Sequence, residues 1–361
     1  MQQLLLQQTG LLAGLLSDWL SRLRCYCRSA HTKQNLMVRL SVGCLVAATL
    51  LLLTGCQTPI QTQQLLDSPP RIAKQHLINN VPFYPQQQFF CGPTTLAEVA
   101  GFYGLQQSPE QIAPNTFIPE LAGTLQIEMT AATRQLGLLA YAERSNMQQL
   151  LQLVAEDIPV IVLQNNSISL WPQWHYAVVI GYDFASGEVI LHSGITREYR
   201  LNFATFERTW QRGNYWLLLM LPPDKSSTQL NPFVYSKAAQ DLLNTQQRAS
   251  GVAALQNATQ QWPDYWLPYF LLGNYYVASQ PELAGHWFAK GLPYAKSQAP
   301  YLNNYAMLLS SQGCPQQAEQ MITAALNISP ADPQLLDSQA QIRKAARAPQ
   351  HKVLQCPPLG Y

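Results

Sequence analysis

Cys91 lies in a setting that suits carbonyl chemistry. Residues 81–99 read VPFYPQQQFFCGPTTLAEV. Leu96, Val99, Ala100 and Tyr103 then recur at three- and four-residue spacing, which predicts a helix over Thr94–Tyr103 with the thiol at its start. Unpaired backbone N–H groups and the positive end of the helix dipole gather there, and both favour a thiolate. Gly92 removes bulk beside the sulfur, and Pro93 is tolerated in a first turn. The same N–H groups can hold an oxyanion. The matching base is His175, which opens the apolar run Tyr176–Ile180 and so projects from the end of a buried strand. A thiol and an imidazole facing each other across a cleft add to a carbonyl and form a thioester. A lone cysteine before a core helix also serves as a small buried hydrophobe, so the residue types leave both roles open.

The elements that must position this pair fall into two domains. Residues 81–223 predict an α+β domain in which helices are followed by antiparallel strands. The helices are expected at Thr94–Tyr103, Met129–Leu138 and Met147–Ala155, and the strands at Pro159–Leu163, Tyr176–Tyr182, Glu188–His192 and Trp216–Leu221. A helix near Thr205–Trp210 is expected over the sheet, with Trp210 in the core. Trp171, Trp174, Tyr215 and Trp216 suit either a cleft wall or an aromatic core. Pro222-Pro223 introduces a linker at 224–231. Residues 232–348 are helical and repetitive: Gly251, Ala284 and Ala318 are 33 and 34 residues apart, and Leu255/Phe288/Ile322 and Ala258/Gly291/Ala325 keep the same spacing. A period near 34, with small residues around a larger one and Pro263 and Pro330 closing units, resembles the tetratricopeptide repeat. An all-α solenoid of that kind presents a concave face to a protein partner. Residues 349–361 form a tail.

Three motifs together, a Gln before the cysteine, Cys91-Gly92-Pro93, and the run WHYAVVIGYD at 174–183, resemble the papain-like cysteine peptidases of the bacteriocin-leader (double-glycine) type. The resemblance implies that Cys91 is the nucleophile, His175 the general base and Gln86 the oxyanion donor, with Gln87 and Gln88 close enough to compete. That family places an Asp about 16 residues after the histidine to orient it. Here the corresponding run is Val189–Gly194, which has no carboxylate. His192 or Ser193 then takes the orienting position, or Asp183 reaches in from its turn, or the site works as a dyad. Lipoproteins that fuse such a domain to tetratricopeptide repeats form a bacterial group, and the amino-terminal segment fits them. Residues 37–56 read MVRLSVGCLVAATLLLLTGC, which resembles a lipoprotein signal peptide over 37–55 with Cys56 as the acylated residue. Residues 1–36 form an upstream extension, with Met37 as the expected start. Residues 56–80, Gln-rich with Pro69-Pro70, read as a lipidated tether. Gln57 after the cysteine favours an outer-membrane anchor facing the periplasm.

Charged residues make up 12% of the chain, and Lys+Arg number 22 against 20 Asp+Glu. Removing the five basic and one acidic residues before Cys56 leaves 17 against 19. Without a basic stripe, nucleic acid is not an expected partner. No phosphate loop, dinucleotide fingerprint or metal-ligand cluster stands out, so neither a cofactor nor a metal is expected. After processing, Cys91, Cys314 and Cys356 remain, and Cys314 with Cys356 is the one pair to consider for a bridge in an oxidising compartment. The expected activity is cleavage of a peptide or amide bond. A catalytically silent peptide-binding adaptor and an acyl or amide transferase on the same fold are the alternatives.

Overall fold

The computed structural model describes residues 58–86, 90–121, 123–347 and 356. The extension, the signal peptide, Cys56, Gln87 and Gln88 lie outside the described residues, as does the tail apart from Cys356.

The α+β domain is built on a seven-stranded antiparallel sheet in the order β2-β7-β3-β4-β5-β6, with β1 added along β4. The strands are β1 Gln75–Leu77, β2 Leu139–Arg144, β3 Val160–Asn165, β4 Trp174–Asp183, β5 Glu188–Ser193, β6 Thr196–Asn202 and β7 Trp216–Leu221. β3, β4 and β7 are nearly continuous apolar runs and are buried on both faces. Helices cover them: α1 Ile60–Asp67, α2 Cys91–Phe102, the short α3 Pro109–Ile112, α4 Gln126–Gln135, α5 Met147–Ala155 and α6 Phe203–Arg212. In α5 the apolar positions Met147, Leu150, Leu151 and Val154 fall on one buried face, and the Asn146 side chain caps its start by accepting from the Gln149 N–H. α6 places Phe203, Phe206 and Trp210 in the core. At one sheet edge β6 is exposed and carries Arg197, Glu198 and Arg200, which discourage strand addition.

The stretch read as a tether is folded from residue 60 onward. β1 pairs Gln75, His76 and Leu77 with Asp183, Tyr182 and Gly181 of β4. α1 lacks a local cap and borrows one: the buried Glu207 carboxylate of α6 accepts from the Gln61 N–H at 3.0 Å, from the Thr62 N–H, and from the Thr62 hydroxyl at 2.6 Å. A local polar composition predicts solvation. The distant carboxylate satisfies those donors inside the fold instead, and Leu65 buries with them.

Beyond β7 the chain is helical: α7 Pro232–Leu243, α8 Arg248–Gln261, α9 Trp266–Tyr276, α10 Pro281–Gly291, α11 Ala299–Ser311, α12 Pro315–Ile328 and α13 Pro333–Ala346. The three repeat columns fall on α8, α10 and α12, and every one of those nine residues is buried. Gly291 shows why small residues are required, since a Cβ there would lie 2.4 Å from Tyr269 Cβ and 2.5 Å from the Tyr301 hydroxyl. Residues 222–231 pack as well: Leu230 is buried, and the Asn231 N–H donates to the Tyr141 hydroxyl of β2 at 2.9 Å. The Tyr235 hydroxyl donates to the Lys225 carbonyl at 3.1 Å. Cys314 and Cys356 form a disulfide with a Cα–Cα distance of 5.6 Å.

Removing the borrowed cap tests the folded amino-terminal segment. Glu207→Ala leaves two N–H groups of α1 without their acceptor and is expected to lower stability by about 1–3 kcal/mol. Urea denaturation together with faster amide exchange at Gln61 and Thr62 checks it.

Candidate active site

Three chain segments meet at one end of β4. α2 starts at Cys91 and packs its buried face on that strand, and the Tyr176 backbone N–H points at the Cys91 sulfur. One residue earlier, the His175 ring hydrogen-bonds through Nε2 to Ser193 Oγ at 2.9 Å. One residue after Ser193, the Gly194 carbonyl accepts from the Gln86 N–H at 3.1 Å. Cys91, His175, Ser193 and Gln86 are thus gathered by β4, the end of β5 and the segment ahead of α2.

Pairing explains why Ser193 and not its neighbour meets His175. Val178 of β4 lies opposite His192 of β5, and successive side chains on a strand point to opposite faces, so Ser193 and His192 diverge. Ser193 reaches the imidazole. His192 is buried against α2, with its Nδ1 3.8 Å from Glu98 Oε2 and the Phe83 ring set edge-on at 5.1 Å. Asp183 sits at the far end of β4, where its carboxylate accepts from the Ala185 N–H at 2.8 Å and so closes the turn into β5. Both His192 and Asp183 are therefore out of reach of the His175 ring. Ser193 engages Nε2, and Nδ1 is the ring nitrogen outside that contact.

The site is largely buried, and this sets its charge state. Burial raises the Cys91 thiol above its ordinary value of 9.0, and the N–H groups of Tyr176, Gly92 and Cys91 only partly oppose it. Burial also pushes His175 down to about 4. The helix start alone favours thiolate; desolvation outweighs it, and the resting pair is a neutral thiol beside a neutral imidazole. Gly92 is required by the other wall of the site, since a Cβ there would lie 2.5 Å from Thr124 Oγ1. The Thr124 carbonyl in turn accepts from the Tyr176 hydroxyl at 3.2 Å, tying that loop to β4.

Two contributors escaped the reading of the sequence. Asn165, buried at the end of β3, accepts from the Ser167 N–H at 3.0 Å and the Gln173 N–H at 2.9 Å, which folds the loop leading to His175. That loop holds Trp171, 71% exposed, and Trp174 follows as the first residue of β4, 55% exposed, so both rings face solvent. Tyr215 and Trp216 pack against core rings instead, Tyr215 on Trp210 and Trp216 on Tyr176. Glu98 is the second, and its signal was present: it is the one charged residue in the helix Cys91–Phe102. Burial raises its pKa to about 8. Among the described residues no group of three or more His, Cys, Asp or Glu side chains is placed to hold a metal.

Glu98 gives a stability test with a defined sign. Its folded pKa lies above the unfolded 4.5, so the folded chain keeps a proton that the unfolded chain releases. Its contribution is complete below about pH 4.5, falls as pH rises toward 8, and is constant above that. Glu98→Gln lacks this loss. Urea midpoints are expected to shift in favour of the variant by a few kcal/mol between about pH 5 and pH 9.

Residues 78–215 match the Peptidase_C39 like family. No curated protein matches the chain. Among solved structures, a Bacillus anthracis protein described as a C39-like peptidase is 17% identical, covering 43% of this chain and 99% of its own at a TM-score of 0.35. The peptidase domain of Streptococcus ComA, a bifunctional ABC transporter of a quorum-sensing pathway, is 22% identical, covering 39% and 99% at 0.33. A double-glycine-motif protease from an AMS/PCAT transporter, solved with its leader peptide, is 20% identical, covering 38% and 89% at 0.31. Residues 78–215, which carry Cys91, His175 and Ser193, are thus similar to the C39-like cysteine peptidases, and the α+β domain with its antiparallel sheet is of that fold.

Proposed function

We propose that this protein is a cysteine peptidase that cleaves a peptide or amide bond through a thioester on Cys91. The observation that carries the reading is the convergence on β4: the Tyr176 amide at the Cys91 sulfur and, next to it, an imidazole whose Nε2 is held by Ser193. As the Cys91 sulfur adds to the carbonyl carbon, its proton passes to His175 Nδ1. The oxyanion so formed takes hydrogen bonds from the Cys91 N–H and the Gln86 side chain. Collapse breaks the C–N bond, and His175 returns the proton to the leaving nitrogen. Water then attacks the thioester, gives a proton to His175, and releases the acid as the thiol is restored.

In this mechanism Nε2–H is the donor to Ser193 Oγ, 2.9 Å away, which leaves Nδ1 as the base. A neutral hydroxyl stabilises an imidazolium less than a carboxylate does, so proton transfer occurs during attack rather than in the resting enzyme. That same observation favours a second reading, a peptide-binding adaptor without turnover. The substrate is read as a peptide from the likeness to leader-peptide proteases. Acylation at Cys56, an outer-membrane anchor facing the periplasm and a tetratricopeptide-type surface for a protein partner belong to the same proposal. The Cys314–Cys356 bridge supports an oxidising compartment, and the buried small-residue columns support the repeat.

Iodoacetamide labelling of the chain from Gln57 onward separates catalyst from adaptor. Wild-type Cys91 is expected to react faster than Cys91 in His175→Ala, by about tenfold or more. Because the thiol pKa is raised, the rate is expected to climb past pH 9 without a plateau near neutrality. Labelling indifferent to His175 supports the adaptor. Ser193→Ala, which frees the ring, is expected to lower the rate less than His175→Ala does.

A further inference from the structure

We infer that Glu98 and His192 act as a clamp that holds residues 82–86 in place and thereby positions Gln86; this rests on the peptidase reading for its catalytic consequence. The clamp grips three consecutive residues from two elements. Glu98, two turns into α2, accepts the Tyr84 N–H on Oε1 at 3.1 Å. His192, near the end of β5, hydrogen-bonds to the Pro82 backbone, and the Phe83 ring stands edge-on to its imidazole at 5.1 Å. The last residue of the segment is fixed separately, by the Gln86 N–H on the Gly194 carbonyl at 3.1 Å. No strand is assigned over 81–86; besides these contacts Val81 is buried and Pro82 packs against Gly101 of α2.

The two clamp side chains also face each other. Glu98 Oε2 and His192 Nδ1 lie 3.8 Å apart, both are buried, and neither has another partner among the described residues. His192 uses its other nitrogen as the donor to the Pro82 carbonyl, which leaves Nδ1 as an acceptor. Glu98 is then the donor: a protonated carboxyl can give Nδ1 its O–H while its other oxygen keeps the Tyr84 amide. The raised pKa of the carboxyl and the lowered pKa of the imidazole agree with a neutral pair. Neither side chain touches the reacting atoms. Both are positioning residues, and their effect runs through the segment that ends at Gln86.

Two reactions of Cys91 separate positioning from collapse. p-Nitrophenyl acetate transfers its acetyl group to the sulfur through a tetrahedral oxyanion and releases p-nitrophenolate, whereas iodoacetamide alkylates the sulfur with loss of iodide and forms no oxyanion. Glu98→Met is expected to lower the acetylation rate about tenfold or more while alkylation stays within about threefold, as loss of one oxyanion donor predicts. Gln86→Ala is expected to do the same, and the double variant to be no slower than Gln86→Ala alone. Glu98→Gln keeps an acceptor for Tyr84 and a donor for His192, and is expected to restore the wild-type ratio. An unchanged ratio in Glu98→Met, equal loss of both rates, or no rescue by Glu98→Gln would overturn the clamp. If Cys91 of the wild type takes no acetyl group, the peptidase reading fails instead. The clamp is then decided by amide exchange at Tyr84 and Gln86, which is expected to quicken in Glu98→Met and not in Glu98→Gln; no change would overturn it.

Discussion

The hydrogen-bonded ladder on β4 is the constraint on which the rest depends. β4 pairs with β3 along its first half and with β5 and β1 along its second, so its backbone has neighbours on both edges. That pairing fixes where His175 leaves the sheet, places the Tyr176 amide under the Cys91 sulfur, and aligns Ser193 with the imidazole. A one-residue slip would exchange Ser193 for His192 at the ring, because side chains alternate across a strand. The site is therefore a property of register more than of any loop.

Burial is the second determinant. A thiol at a helix start and an imidazole opposite would, if solvated, lean toward an ion pair. Here the surrounding apolar strands desolvate both, raising one pKa and lowering the other. The buried carboxylate of Glu98 faces His192 and the Tyr84 amide. Neutral ground states follow from this arrangement. In the proposed mechanism, charge separation then accompanies bond formation to carbon at the helix start.

The sheet is also anchored at its margins by chain from outside it. Residues 60–77 add a helix capped by Glu207 and a short strand on β4, so this segment is part of the α+β domain. At the β2 edge, the Tyr141 hydroxyl accepts from Asn231, and α7 packs against the strand, so the helical region closes an edge that would otherwise expose unpaired backbone. The two regions share packed side chains and hydrogen bonds through 222–231.

Much of this was legible in residue order. The alternation of apolar runs announced the α+β domain, the small-residue columns of period near 34 announced the buried positions of α8, α10 and α12, and Cys91-Gly92-Pro93 announced a cysteine at a helix start, because each of these is a short-range pattern. What only the tertiary structure decided was partnership. Ser193 rather than His192 or Asp183 meets His175, Glu207 caps a helix 145 residues away, and Trp171 and Trp174 face solvent while Trp216 joins the core. Desolvation likewise reverses the thiolate preference of the helix start. Sequence fixes local periodicity and the inventory of groups; strand register and burial choose which groups meet and whether they carry charge, and both arise from contacts between residues far apart in the chain.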